Sequence, residues 1–369
     1  MKICFVTDNV NPKAGLGRMV HNITGLLKER GHEIGFVLAE GKAGKKSLAV
    51  GFRFSWRRIL STFVDILRMR SFLKEYDAVV SFDVQPAGML VYLATLGRRD
   101  VCVIHALGTY GLFTPDNWIK NKLISFAYKK ASRVFLINDF VRKKIEESNP
   151  EFLFSQNVSL VPVGVNTKRF IKKTNQQAGA TSKEYVISFG ALKPRKGQLE
   201  SLKAFSSIAS SYPNLNYVFV GSTSDAPSYY NRIVQYVKEC DLTNRVSFVE
   251  NVNDDQLVSL YSQAKFFVLT PSSSKTSIEG FGMVYLESAL CGLTAIGTKD
   301  TGAEVAIIDN KTGLLVDQDV TKIAEAMIVL IEDDALRERY AKSAYERALT
   351  FDWSSVVDLY ESELTKLTS

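Results

Sequence analysis

Residues 167–184 read TKRFIKKTNQQAGATSKE, and residues 185–197 read YVISFGALKPRKG. The first string is polar and keeps no clear period. The second opens on a strand-like apolar run, Tyr185–Phe189, and turns at once into a basic loop. A linker over 166–184 followed by a fresh strand divides the chain in two. Before it, short apolar runs at 2–7, 33–38, 78–82, 101–105 and 133–137 alternate with helical stretches at 18–30, 56–76, 87–96, 118–130 and 141–147. After it the same alternation resumes, with runs at 185–189, 216–220, 246–248, 266–269, 294–297 and 313–316. Strands separated by helices of this length build parallel sheets covered on both faces. The chain therefore reads as α/β, with two doubly wound, Rossmann-like domains and a ligand expected in the cleft between them, beyond the carboxyl ends of the strands. The expected division is 1–165, linker 166–184, 185–348, and a C-terminal helical segment, 349–369, packing back on the first domain.

The bulk properties agree with a soluble two-domain protein: 369 residues, 46% hydrophobic and 23% charged. Cys4, Cys102, Cys240 and Cys291 are scattered, without metal-ligand or redox spacing. With His21, His32 and His105 the only histidines, a zinc site is not expected. The cysteines read as reduced core residues of a cytoplasmic protein. The first residues, MKICFVTDNV, enter a strand directly and do not resemble a signal peptide. No apolar run reaches the 18 residues of a membrane span.

Two motifs carry chemistry. Residues 279–287, EGFGMVYLE, place two carboxylates across a loop-to-helix junction. Gly280 and Gly282 allow close backbone approach, and a helix beginning near Met283 offers N–H groups and a positive dipole end. Glu287, in the first turns, could accept bonds from ribose hydroxyls, while Glu279 faces another part of the same ligand. A helix with acids near its positive end would show the same pattern. The second motif, Lys193-Pro194-Arg195-Lys196-Gly197, follows the strand 185–189 and gathers cations suited to phosphate, or to a solvated basic turn.

Along the chain these pieces resemble the family 4 glycosyltransferases. GALKPRKG (190–197) is similar to the family's GRLxxxKG turn. Phe266–Pro271 followed by EGFGMVYLESALCG (279–292) is similar to its PS…EGFGxxxLEAmAcG block. VPVGVNTKRF (161–170) resembles vpNGVDxxrF, and AGLGR (14–18) resembles the GGxxR loop. The resemblance implies the GT-B fold and retaining, metal-independent transfer from a nucleotide sugar, with no cofactor; a UDP-sugar is favoured on the general frequency of that base alone. The acceptor expected, given the basic segment 41–74, is a glycan or lipid-linked molecule of cell-envelope or polysaccharide synthesis. Lys196 would bind the donor diphosphate and Glu287 the ribose. Glu279 and the N–H groups of Phe281, Gly282 and Met283 would hold the transferred sugar. Gly15 and Gly17 would let the first loop approach the sugar phosphate, and His105 would stand near the sugar. Three departures qualify it. Ala191 occupies the family arginine's place, which Arg195 would fill. The loop 272–278, SSSKTSI, is longer than the usual form. Glu250 replaces a glycine in FVENV (248–252), where Val252 would meet the base.

A metal mechanism would need carboxylates at the phosphates. The candidate pair, Asp317 and Asp319, precedes a helix, where Asp319 reads as an N-cap. The charge is concentrated: residues 41–74 hold nine bases against Asp65, a net +8, so the rest of a chain of net +7 sums to −1. In that segment Trp56, Ile59, Leu60, Phe63, Val64, Leu67 and Phe72 form a helical stripe expected to cover the sheet. The surplus charge, at Lys42, Lys45, Lys46, Arg53, Arg57 and Arg58, points to an anionic membrane surface as a partner.

Other classes fit less well. A dinucleotide site needs G-x-G-x-x-G, and Gly15-Leu16-Gly17-Arg18-Met19-Val20 lacks the third glycine. A nucleic-acid partner is not expected, since the basic patch carries no docking module. A nucleotide-sugar epimerase of the same fold, or a noncatalytic membrane-associated GT-B protein, remain the alternatives.

Overall fold

The computed structural model describes residues 1–8, 10–11, 15–39, 46–51, 59–98, 100–154, 157–176 and 185–369. The chain divides into two compact units, one of residues 1–164 with 353–369 and one of 165–352.

The first unit is built on seven parallel strands: β1 (Lys2–Thr7), β2 (Glu33–Leu38), β3 (Ser47–Ala49), β4 (Ala78–Phe82), β5 (Val101–Ala106), β6 (Arg133–Leu136) and β7 (Val158–Leu160). Their order is β3-β2-β1-β4-β5-β6-β7, so the winding reverses between β1 and β4. The helices are α1 (Gly15–Glu29), α2 (Ile59–Leu73), α3 (Met89–Ala94), α4 (Trp118–Lys130) and α5 (Asp139–Ser148). β1 and β4 are apolar without alternation, as strands covered on both faces must be.

Helix α2 corrects an expectation. Thr62, Ile66, Met69 and Leu73 turn inward, Met69 and Leu73 joining the core that contains Val79 and Leu90. Leu60, Phe63, Val64 and Leu67 stay exposed instead of covering the sheet. The helix carries two stripes about 140° apart, and periodicity alone could not choose between them. Trp56, Lys42, Lys45, Arg53, Arg57 and Arg58 lie outside the described residues, whereas Lys46 is exposed and pairs with Glu33.

The second unit holds α6 (Thr167–Gln176), β8 (Tyr185–Phe189), α7 (Gln198–Ile208), β9 (Asn216–Val220), α8 (Pro227–Glu239), β10 (Val246–Val249), α9 (Asp254–Gln263), β11 (Phe267–Val268), α10 (Met283–Leu290), β12 (Ala295–Thr298), α11 (Ala303–Ala306), β13 (Gly313–Val316), α12 (Val320–Glu332) and α13 (Asp334–Leu349). Its six parallel strands run β10-β9-β8-β11-β12-β13, with the reversal between β8 and β11. Phe205, Tyr217, Phe219, Ile296 and Met327 pack in one core. The segment read as the beginning of an irregular linker is helical: α6 buries Phe170 and packs against α9 and α10. Asn253 caps α9 in a reciprocal box with Gln256, and Asp319 caps α12 by accepting from Lys322 N at 3.0 Å.

The last helix, α14 (Trp353–Thr368), belongs to the first unit. It packs on α1 and buries Tyr360 against Phe5 and Phe135. Glu361 receives Arg30 at 2.8 Å and His32 at 2.7 Å.

Candidate functional site

In open α/β sheets a ligand sits where the winding reverses, because the loops leaving the two adjacent strands diverge there. In the second unit those strands are β8 and β11, and their loops carry both chemical motifs. The loop after β8 makes a short turn, Pro194–Lys196, and ends at Gly197 with φ 69°. A Cβ on Gly197 would lie 1.8 Å from the carbonyl oxygen of Thr270, so only glycine lets the two loops touch. Thr270 Oγ1 donates to the Gly197 carbonyl at 2.8 Å, and Ser272 N donates to that of Arg195 at 2.9 Å.

This seam aims the cations. Lys196 Nζ lies 2.8 Å from Glu279 Oε1, and Arg195 Nη1 bonds Glu279 Oε2. Glu279 is 7% exposed. Burial by itself would raise its carboxyl, but Lys196 and Arg195 outweigh that and hold it below the usual carboxylate range. Two cations against one carboxylate leave a local surplus of one positive charge in a sheltered place, where an added diphosphate gains most. Lys193, the third base of the loop, pairs with Asp225 at 2.7 Å.

Gly282 takes φ 79° and starts α10 without a side-chain cap. The N–H groups of the first turn at Met283 are therefore served by no capping side chain. The carbonyl of Glu279 accepts from Gly302 N at 2.7 Å, which fixes the loop ahead of this helix. Phe281 is buried against Phe351. Glu287 lies in the second turn of α10, buried. On the neighbouring strands of the same edge, Glu250 accepts from Thr223 N at 2.7 Å and joins the loops after β9 and β10. Val252 follows in that second loop, half-buried. Arg195, Lys196 and Glu279 are thus in mutual contact, with Phe281, Gly282, Met283 and Glu287 on the same loop and helix.

The first unit contributes two corrections. His105 ends a strand but points inward: it is 0% exposed, between Phe82, Phe135 and Tyr360. Its Nε2 lies 3.1 Å from the Val161 carbonyl, an acceptor only, so Nε2 carries the proton, and Nδ1 is buried without a partner among the described residues. Burial lowers the imidazole to about 3 and keeps it neutral. A histidine enclosed this way does not touch a sugar. Gly17 lies inside α1, not in the preceding loop, and a Cβ there would come within 2.0 Å of the Asn11 carbonyl oxygen. Its missing side chain makes room for the chain's own backbone. Gly15, by contrast, opens α1, and a Cβ there would have no atom of the described residues within 4 Å.

The sequence reading missed Asp83. It follows β4, at the reversal of the first sheet, with φ 60° and a buried carboxyl. Its Oδ1 accepts from Leu107 N at 2.7 Å, so it holds the loop that follows β5. Burial raises this carboxyl to about 7 against the pull of bonds from the Leu107 and Gly108 amides. An acid closing an apolar strand was the available signal, but the strand order that gives it meaning is not in the sequence. Among the described residues no cluster of three metal-ligating side chains occurs.

The sequence model of a family described as Glycosyl transferases group 1 matches residues 170–347, and that of Glycosyltransferase Family 4 matches residues 14–169. The D-inositol 3-phosphate glycosyltransferase of Corynebacterium diphtheriae is 27% identical over 236 residues, 61% of this chain and 52% of that protein. A GDP-mannose-dependent monoacylated alpha-(1-6)-phosphatidylinositol monomannoside mannosyltransferase of Corynebacterium glutamicum is 29% identical over 206 residues, 53% of this chain and 52% of that one. The chain spans about half the length of the curated relatives it matches. Among solved structures, HepE of Anabaena in complex with UDP and glucose has a TM-score of 0.78 at 21% identity, covering 99% of both chains. A glycosyltransferase of Rickettsia africae has a TM-score of 0.81 at 17% identity, covering 99% of this chain and 98% of that one. These structures share the fold of two doubly wound sheets.

Proposed function

Since the chain belongs to the family 4 glycosyltransferases, we propose that it moves a hexosyl group from a nucleotide sugar, a UDP-sugar by preference, to a glycan or lipid-linked acceptor. The contact of Lys196 and Arg195 with Glu279 at the reversal of the second sheet carries this reading. Lys196 and Arg195 would take the donor diphosphate, the latter in place of the arginine absent at Ala191. Glu279 and the N–H groups of Phe281, Gly282 and Met283 would hold the sugar, and Glu287 the ribose. Gly15 would face the sugar phosphate, and Val252 the base.

The reaction is retaining. The acceptor oxygen bonds to the anomeric carbon on the face from which the diphosphate leaves, and a leaving phosphate oxygen takes the acceptor proton. The charge growing on the diphosphate meets two cations already fixed by the loop seam. Such preorganised electrostatics are the largest catalytic contribution in most enzymes, and here they need no metal. Lys42, Lys45, Lys46, Arg53, Arg57 and Arg58 would draw the protein to an anionic membrane on which a lipid-linked acceptor lies.

The test is a thermal-shift titration with UDP-, GDP- and ADP-sugars in EDTA, beside a Lys196→Ala/Glu287→Ala variant. A ligand at about 100 times its Kd adds roughly 2.7 kcal/mol of stability. Stabilisation of the wild type by one nucleotide series, absent in the variant, supports the reading and names the base. No shift with any nucleotide sugar overturns it. Interconversion of the donor without an acceptor would mark an epimerase instead.

A further inference from the structure

The four apolar side chains that α2 turns to solvent are spaced at i, i+3, i+4 and i+7: Leu60 82% exposed, Phe63 58%, Val64 53% and Leu67 50%. A stripe of this kind on a charged helix is the form of an interfacial segment. It is not isolated. α2 packs on α3 and α3 on α4, so the three helices form one layer over the sheet. On α4, Trp118 is 67% exposed, Ile119 48% and Phe126 49%, with Phe126 stacked on Tyr92 of α3.

The charge of the layer selects the occupant. α4, WIKNKLISFAYKK, holds four lysines and no acid, and Lys122 lies 4.7 Å from the Trp118 ring centre. Arg68 and Lys74 are exposed at α2, and residues 41–74 sum to +8. Exposed apolar side chains and a tryptophan on helices rich in bases match a surface with an acyl interior and anionic headgroups. A protein partner would need acids complementary to both helices as well as an apolar groove.

The direction of the chain adds a constraint. α2 and α4 both start at the carboxyl edge of the sheet and run toward its amino edge, as right-handed crossovers require. Leu60, Phe63, Trp118 and Ile119 lie in the first turns, hence next to that edge. Tyr110, 62% exposed, stands in the loop between β5 and α4 on the same side.

We infer that the outer face of α2 and α4 inserts into an anionic phospholipid bilayer, setting the carboxyl edge of the first sheet at the headgroup level. This extends the attraction of the basic segment to a specific apolar contact and adds α4 to it. It rests on the glycosyl-transfer reading only for its use, which is to bring a lipid-linked acceptor to that edge.

The experiment is co-sedimentation of the full chain with phosphatidylglycerol–phosphatidylcholine vesicles and with phosphatidylcholine alone, at low and high salt. Leu60→Gln/Phe63→Gln/Leu67→Gln and Trp118→Gln/Ile119→Gln are compared with wild type. All changes lie at exposed positions, and equal melting temperatures check the folding. Expected are binding to the anionic vesicles only, a loss of about tenfold or more in each variant, and a blue shift of tryptophan emission that Trp118→Gln removes. Equal vesicle binding by wild type and both variants, or no binding by wild type, overturns the inference. So does a wild-type dimer that the triple variant dissociates with vesicle binding unchanged, since a second copy then covers the face. Nucleotide-sugar thermal shifts run in parallel keep the two readings apart. Vesicle binding without donor binding removes the transfer reading and leaves the surface, and the reverse removes the surface alone.

Discussion

Glu279 balances two cations, so its removal leaves Lys196 and Arg195 facing each other across a sheltered gap. Breaking a buried pair typically costs 3–5 kcal/mol, and with Arg195 about one-third exposed the lower figure, about 3 kcal/mol, applies to Glu279→Gln. The same surplus charge should make the variant respond more strongly to an anion. Added pyrophosphate is expected to raise the melting temperature of Glu279→Gln more than that of wild type, and an equal or smaller rise would show that the cations do not form a diphosphate seat. In the first unit two buried groups set an acid profile. Unfolded His105 protonates near 6.5 and the folded ring only near 3, so below pH 6.5 the unfolded state binds more protons and stability falls, by up to ~1.4 kcal/mol per pH unit. Asp83 acts in the opposite sense. Its folded carboxyl takes a proton near 7 and the unfolded one near 3.8, so its contribution grows as pH drops between those values. Urea titrations from pH 7.5 to 4.5 should therefore lose less stability in His105→Phe than in wild type, and more in Asp83→Asn. The same slope in all three would refute the assignment.

Loops and helices set where these residues meet, and the glycines at their junctions separate packing from ligand approach. Gly17→Ala pushes a methyl group into the Asn11 carbonyl and should lower the melting temperature. Gly15→Ala meets no atom of the described residues at the start of α1 and should keep or slightly raise it, since alanine is the better helix former by up to about 1 kcal/mol. If Gly15→Ala weakens nucleotide-sugar binding while Gly17→Ala only destabilises, the two glycines have the separate roles proposed for them. Equal melting temperatures for the two variants would contradict them. The sequence spelled out the alternation of strands and helices and the order of the motifs, because hydrophobic period and glycine placement are local. It could not show that Arg195 and Lys196 converge on Glu279, 84 and 83 positions further along the chain, since that contact is made by the seam at Gly197 and Thr270. Nor could it choose between the two stripes of α2, or see that Val161 and three aromatic rings enclose His105. TKRFIKKTNQ reads as polar linker because its apolar content is low, and the face that buries Phe170 is supplied by α9 and α10, distant in sequence.

The first unit is discontinuous in sequence, whereas the second is one uninterrupted stretch. α14 contributes Trp353, Val356, Val357, Tyr360 and Leu364 to the buried interior of the first unit, and Glu363 accepts a hydrogen bond from Ser159 in β7. Five large apolar side chains at about 1.5–3 kcal/mol each represent roughly 8–15 kcal/mol of burial, as much as the whole net stability of an ordinary domain. Their loss would also open the aromatic cluster around His105 to water, exposing Phe5 and Phe135. A chain ending at Asp352 is therefore expected to lose cooperative unfolding of the first unit and to bind a hydrophobic dye, while residues 165–352 expressed alone retain a single sharp transition. The second unit carries Arg195, Lys196, Glu279 and Glu287 and depends on α14 for none of the contacts described around them. Thermal unfolding of the two fragments followed by circular dichroism measures the difference. A first unit that melts as sharply without 353–369 as with it would mean that α14 is an appendage, and the burial of Tyr360 would then contribute far less than its area implies.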